Sequence, residues 1–232
     1  MPENDHVPGA PEPDDAGGVR LSGTNRVEAF SDGVLAIVIT LLVLDLRVPP
    51  HPPGGLLTAL LQQWTGYVAY LASFLYVGVI WLNHHAAFNR IRYVDLGLHC
   101  ANLGLLLTTA VLPFPTAVVS ATLQEGLNTS DARVAVGFYA LAGMVMCVSW
   151  LLFYAYVYRH ADRLLEQEVP ASDFGEHRVR AWAGILGYGV AGVLGIAAPS
   201  IALGVFVLLP LFYAISSEGL HQLQPKGILG LE

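Results

Sequence analysis

Apolar residues run along this chain in long unbroken stretches, at 27–47, 57–83, 94–121, 133–158, 179–197 and 200–217, parted by short polar segments. Most are near the ~20 residues that a helix needs to cross the hydrocarbon core of a bilayer. The runs are continuous rather than alternating, which predicts helices and not the strands of a membrane barrel. The expected fold class is an all-α integral membrane protein with six transmembrane helices in one domain, 26–217. Pro113 and Pro115 are expected to bend or break the third stretch. Pro199-Ser200 makes a tight uncharged turn between the fifth and sixth. Glycines recur in the fifth at small-residue spacing (Gly184, Gly187, Gly189, Gly192, Gly195), which suits close helix contact.

The flanks differ in kind. Residues 1–25 are rich in Pro, Gly and acid, without an apolar run, and are expected to form a disordered cytoplasmic tail. With no basic start or apolar core of a signal peptide, the first membrane helix is expected to act as its own insertion signal. Residues 218–232 are expected to form a cytoplasmic C-terminal tail. Nine of the eleven Lys and Arg residues fall on one side of a six-span topology, and only Arg47 and Arg133 on the other. The positive-inside rule then puts both termini in the cytoplasm.

Composition narrows the class further. The 232 residues are 54% hydrophobic and 12% charged, with a mean hydropathy of +0.55. Soluble domains carry about 25% charged residues, so most soluble enzymes and a disordered chain are excluded. A net charge of −7 argues against a nucleic-acid partner, since phosphate binding needs a basic surface. Arg outnumbers Lys ten to one and Ala, Gly and Val abound, a usage that suggests a bacterial source and hence the inner cell membrane. Cys100 and Cys147 both lie in apolar runs and read as buried packing residues.

The densest chemistry lies in the first stretch, Arg26-Val27-Glu28-Ala29-Phe30-Ser31-Asp32-Gly33. An Asp in a membrane span is costly and therefore a functional candidate, unless Ser31 and Asp32 only satisfy free N–H groups near a helix start. At about 100° per residue, Ile37, Leu41 and Leu44 share one stripe, Thr40 flanks it, and Asp32 lies about 140° from Ile37. Asp32 therefore points into neighbouring helices when the stripe faces a central axis. Arg26 and Asp32 are about 240° apart and do not pair along one face. Partners are expected from elsewhere, with Asn83, His84 and His85 the candidates, in a structural polar knot between helices.

A second cluster holds Trp81, Asn83, His84, His85, Asp95, His99 and Asn102. Adjacent histidines on a helix diverge, and the spacing lacks the i, i+4 pair of a zinc helix, so hydrogen bonding between helices is expected rather than a metal. No GxSxG, phosphate-binding or dinucleotide motif is present, and no enzyme is expected.

Three blocks now carry a resemblance. Arg26-x-x-x-Phe30-Ser31-Asp32-Gly33, then Trp81-x-x-His84-His85-x-x-Phe88-x-x-Ile91-x-x-x-Asp95, then Asn102-Leu103 with Leu112-Pro113-Phe114-Pro115-Thr116, resemble the prokaryotic transmembrane protein 175 family of potassium channels. They span residues 26–116; the later helices match only in hydropathy and number. The resemblance implies a homotetramer of six-helix subunits, each giving its first helix to a central pore that conducts K⁺ with modest preference over Na⁺ and needs no cofactor. It implies a hydrophobic constriction at Ile37, with Leu41 and Leu44 along the same stripe, and a selectivity layer at Thr40. It also implies a polar network of Arg26, Ser31, Asp32, Trp81 and His84 or His85. A ring of isoleucines offers no oxygen ligands, so gating by wetting and dewetting is expected. The competing reading is a proton-coupled or small-solute secondary transporter that titrates Asp32. Residues 133–217 hold no comparable mid-span acid, which counts against an inverted repeat.

Overall fold

The computed structural model of the protein describes residues 22–165 and 171–215. Of the expected tails, residues 1–21 and 218–232 lie outside these. The elements are β1 (Ser22–Gly23), α1 (Asn25–Leu41) continued by a 3₁₀ turn (Leu42–Asp45), α2 (Leu56–Gln62), α3 (Trp64–Phe88), β2 (Tyr93–Val94), α4 (Leu96–Ala110), α5 (Pro113–Glu125), α6 (Ser130–Arg159), α7 (Ala161–Leu164), α8 (Ala171–Ala197) and α9 (Pro199–Ile215).

Five segments of the described chain are long and apolar enough to cross a membrane: Asn25–Asp45, Trp64–Phe88, Leu96–Glu125, Ser130–Arg159 and His177–Ala197. The sixth apolar stretch forms α9, 17 residues long with Pro210 inside it. The stretch at 57–83 is not one helix. It divides at Gln63, whose Nε2 donates to the Arg47 carbonyl at 3.0 Å. The membrane-length part begins at Trp64 and runs on to Phe88, so both His84 and His85 are helical. The third stretch is interrupted as the prolines require. α4 ends at Ala110 and α5 starts with Pro113, whose missing N–H costs nothing at a first helical position.

Two strands reach across the start of the molecule. Ser22 pairs with Val94 and Gly23 with Tyr93, antiparallel. Ile91 bridges Leu165, and the Arg92 N–H donates to the Leu164 carbonyl at 2.8 Å. The strand pairing ties the entry to α1 to the turn between α3 and α4.

α6 lies at the centre of the bundle. It packs along α8 and also touches α4, α5 and α9. Small residues permit the α6–α8 approach: a Cβ on Gly192 would stand 3.1 Å from the Cβ of Ala140, and the Tyr188 ring fills the space left open by Gly143. Cys147 is buried in this core, but Cys100 is exposed, which corrects the expectation for that residue. It lies among Leu96, Leu103 and Leu107 on a face of α4 that no other described element covers.

Candidate functional site

α1 has two unlike faces. Val27, Ser31, Leu35, Val38 and Leu42 recur at i+3 and i+4, and all are buried against α3 and α4. Roughly opposite, Ile37 is 60% exposed, Leu44 64% and Leu41 42%. Thr40 is exposed beside them and donates its hydroxyl hydrogen to the Ile37 carbonyl at 2.8 Å.

The buried face is held by directional bonds. Ser31 donates from Oγ to the Val27 carbonyl at 2.8 Å and accepts from Asn102 Nδ2 at 2.9 Å. The Asn102 Oδ1 accepts from His84 Nε2 at 2.9 Å. This relay joins α1 to α4 and α4 to α3 through three side chains, each about 1% exposed or less. Because the Asn102 amide nitrogen is spent on Ser31, its carbonyl oxygen faces His84, and the ring must carry its proton on Nε2. The bare Nδ1 has no hydrogen-bond partner among the described residues, and the ring stacks on Phe88 at 4.5 Å.

A second pair of contacts runs up the side of α1 toward α3. Asp32 Oδ1 accepts from Trp81 Nε1 at 2.9 Å, and one turn earlier Glu28 Oε1 meets His85 Nδ1 at 2.8 Å. The two acids are four apart on α1 and the two rings four apart on α3, so the pairs form successive rungs. The rings themselves stack at 6.0 Å.

The structure thus brings Ser31, Asp32, Trp81, His84 and His85 to the α1–α3–α4 seam. Asn83 is not there. One residue before His84 on the helix, it turns to a cavity of about 50 Å³ lined by Tyr76, Trp150 and Tyr154. Arg26 is exposed and lines a separate cleft with Arg92 and His99. Asp95 accepts from the Leu98 N–H at 2.8 Å and from the Tyr156 hydroxyl at 2.9 Å, capping α4. Burial alone would raise its pKa. The two donors, with Arg163 and His160 nearby, outweigh this and hold the carboxyl below its usual value. Glu28 was absent from the expected network. Its signal was the 28/32 spacing set against 81/85.

Known proteins resemble this chain in sequence and fold. The family model described as Endosomal/lysosomal potassium channel TMEM175 matches residues 26–113, α1 to the start of α5. A potassium channel of Streptomyces collinus is 37% identical over 197 residues, covering 84% of this chain and 94% of that one. The chain belongs to the TMEM175 family. A second relative, a potassium channel of Chamaesiphon minutus, is 36% identical across 85% of this chain and 96% of its own length. The crystal structure of a lysosomal potassium-selective channel TMEM175 homolog from the same organism superposes with a TM-score of 0.69. It is 34% identical over 84% of this chain and 97% of that one. Every residue of the α1–α3–α4 seam named above falls within the part that the family model matches. Members of this family are ion channels, not enzymes.

Proposed function

We propose that this chain is a potassium-permeable cation channel of the bacterial inner membrane, a homotetramer of six-helix subunits with both termini cytoplasmic, in which each copy's α1 lines a central pore. The observation that carries this is the outward stripe of α1. Ile37, Leu41 and Leu44 stand uncovered while every buried polar contact of the helix is made on other faces. The names of the relatives from Streptomyces and Chamaesiphon, both potassium channels, support the choice of ion.

In this reading Ile37 forms the narrowest ring. Four branched apolar side chains bind no cation and expel water, so an ion passes only when the ring widens and wets. Thr40 presents hydroxyl oxygens within a turn of it and replaces part of the ion's water shell. Its hydrogen is committed to the Ile37 carbonyl, which leaves lone pairs for the cation. Hydroxyls on side chains discriminate less sharply than stacked carbonyls, hence a modest preference for K⁺ over Na⁺.

Planar-bilayer recording of the purified protein under a K⁺/Na⁺ gradient tests the reading. Discrete unitary currents that reverse on the K⁺ side are expected, and Ile37→Asn is expected to enlarge them because a polar ring holds water. Currents unchanged by Ile37→Asn would move the constriction elsewhere. Silence in the bilayer, with slow saturable uptake into liposomes, would make the protein a transporter instead.

A further inference from the structure

The anchored face of α1 does not end with the helix. Val27, Ser31, Leu35, Val38 and Leu42 are followed, three residues on, by Asp45, the last residue of the 3₁₀ turn. Side chains three apart eclipse in such a turn. Asp45 therefore continues the side of buried Leu42, while Leu44 continues that of Leu41. The turn packs against α3 and α5. Asp45 thus lies on the covered side of α1, away from the Ile37 stripe and from any axis that the stripe faces.

There it lines a cavity of about 330 Å³ with Gln63, Ser120 and Gln124. Gln63 and Ser120 are buried within the one chain, so further copies leave their surroundings unchanged. Asp45 Oδ2 is buried too and has no hydrogen-bond partner among the described residues. An ionised carboxylate out of reach of water is costly unless a counter-charge meets it. Arg47 lines the cavity as well, yet it is exposed and does not bond this oxygen.

The amide nitrogens nearby are already engaged, Gln63 Nε2 by the Arg47 carbonyl at 3.0 Å and Gln124 Nε2 by Ser120 Oγ at 3.4 Å. What remains for a guest is mainly oxygen: the carboxylate, the Ser120 hydroxyl, Gln124 Oε1, and Gln63 Oε1 with one long 3.4 Å contact from Tyr67. One acid among neutral oxygens suits a hard cation of single charge. Calcium takes ~6–8 oxygens, several of them from carboxylates. Here Asp45 is the one acid among the described lining residues, and Arg47 partly offsets it. Nor do three His, Cys, Asp or Glu side chains gather anywhere among the described residues, as a transition-metal site would need.

We propose that this cavity binds an alkali cation from the outer solution, held by Asp45, Gln63, Ser120 and Gln124 with part of its water. The outward placement rests on the topology proposed above. Ser120 and Gln124 belong to α5 and Asp45 to the end of the α1 segment. The ion therefore ties the outer end of the pore helix to α5, off the conduction axis.

The test is anomalous diffraction from crystals of the full-length protein soaked in Tl⁺, a stand-in for K⁺. Density beside Asp45 is expected in the parent protein and none in Asp45→Asn, which keeps the shape and removes the charge. Thermal unfolding in detergent supplies the affinity, with K⁺ exchanged for N-methyl-D-glucamine at constant ionic strength. K⁺ should stabilise the parent more than Asp45→Asn. Ser120→Ala should weaken the apparent K⁺ affinity about threefold, and Arg47→Gln should strengthen it about fivefold by removing a like charge. Size-exclusion profiles matching the parent establish that the variants are folded. Density at the Thr40 layer but not at Asp45 would overturn the proposal and leave the pore reading standing. Density at Asp45 alone would uphold the site and remove Thr40 as the selectivity layer. Equal K⁺ responses of the parent and Asp45→Asn, or displacement of Tl⁺ by millimolar Ca²⁺, would also overturn the proposal.

Discussion

In the first part of the molecule α1 meets α3 and α4 through Ser31, Asn102 and His84, with Glu28–His85 and Asp32–Trp81 at the side. In the second part α6 meets α8 through glycines and rings, with Gly192 against Ala140 and Tyr188 seated over Gly143. The first arrangement is directional and the second steric. α1 buries only one narrow stripe, so dispersion alone would leave its rotation and depth loosely set; hydrogen bonds at fixed positions set both. α6 and α8 are already close along much of their length, and shape suffices to fix their register.

Overpacking the steric seam should have the largest effect. Gly192→Leu forces atoms into the space next to Ala140 and is expected to cost about 1–3 kcal/mol. Gly137→Leu, on the same seam's helix but facing open space, should be nearly neutral. Thermal unfolding in detergent, followed by size-exclusion chromatography, distinguishes them; equal losses would show that the seam is not steric. Next comes the directional seam. Asn102→Leu keeps the branching and the number of heavy atoms and removes both interhelical bonds, leaving His84 buried without a partner on either nitrogen. A loss of about 1–2 kcal/mol is expected. A fully stable Asn102→Leu variant would mean that α1 is held by packing after all, and the comparison would collapse.

Much of this could be read from the chain because membrane length and helical spacing are local properties. The apolar runs gave the segments, Pro113 gave the break before α5, and the stripe of Ile37, Leu41 and Leu44 followed from rotation about one helix. What local reasoning could not supply was partner identity across helices. Asn83 and His84 are neighbours in sequence and equally polar, yet one turns to the Tyr76 cavity and the other to Asn102. That choice depends on how α3 is rotated against α4, which no single helix encodes. Cys100 failed for the same reason. An apolar setting predicts burial only when something covers that face, and here no described element does.

A smaller effect is expected where α4 begins. Asp95 accepts from the Leu98 N–H and from Tyr156, and its carboxyl is held below the usual value. A depressed native pKa contributes stability above the unfolded-state value, about 3.9, and loses it as pH falls through the native one. Asp95→Ala should therefore cost about 1 kcal/mol at neutral pH, the usual worth of an N-cap. The difference from the parent protein should shrink below about pH 4. A difference that persists unchanged at pH 3 would assign the loss to packing around Gly97 and Tyr156 instead of to charge.

The smallest effect on stability, and the one that bears most on function, concerns Asp32. Its single described bond is to Trp81 Nε1, on the side of α1 toward α3 and away from the Ile37 stripe. Trp81→Phe removes the donor and keeps the ring, so a loss of about 0.5 kcal/mol is expected, as for typical polar contacts between membrane helices. Asp32→Ala should match it and lower the yield of assembled protein without altering the K⁺/Na⁺ reversal potential, since the carboxylate faces a neighbouring helix in the same chain. If instead the Asp32→Ala protein assembles normally and its selectivity changes, the carboxylate senses the permeating ion. The division of α1 into an anchoring side and a conducting side would then have to be redrawn around Asp32.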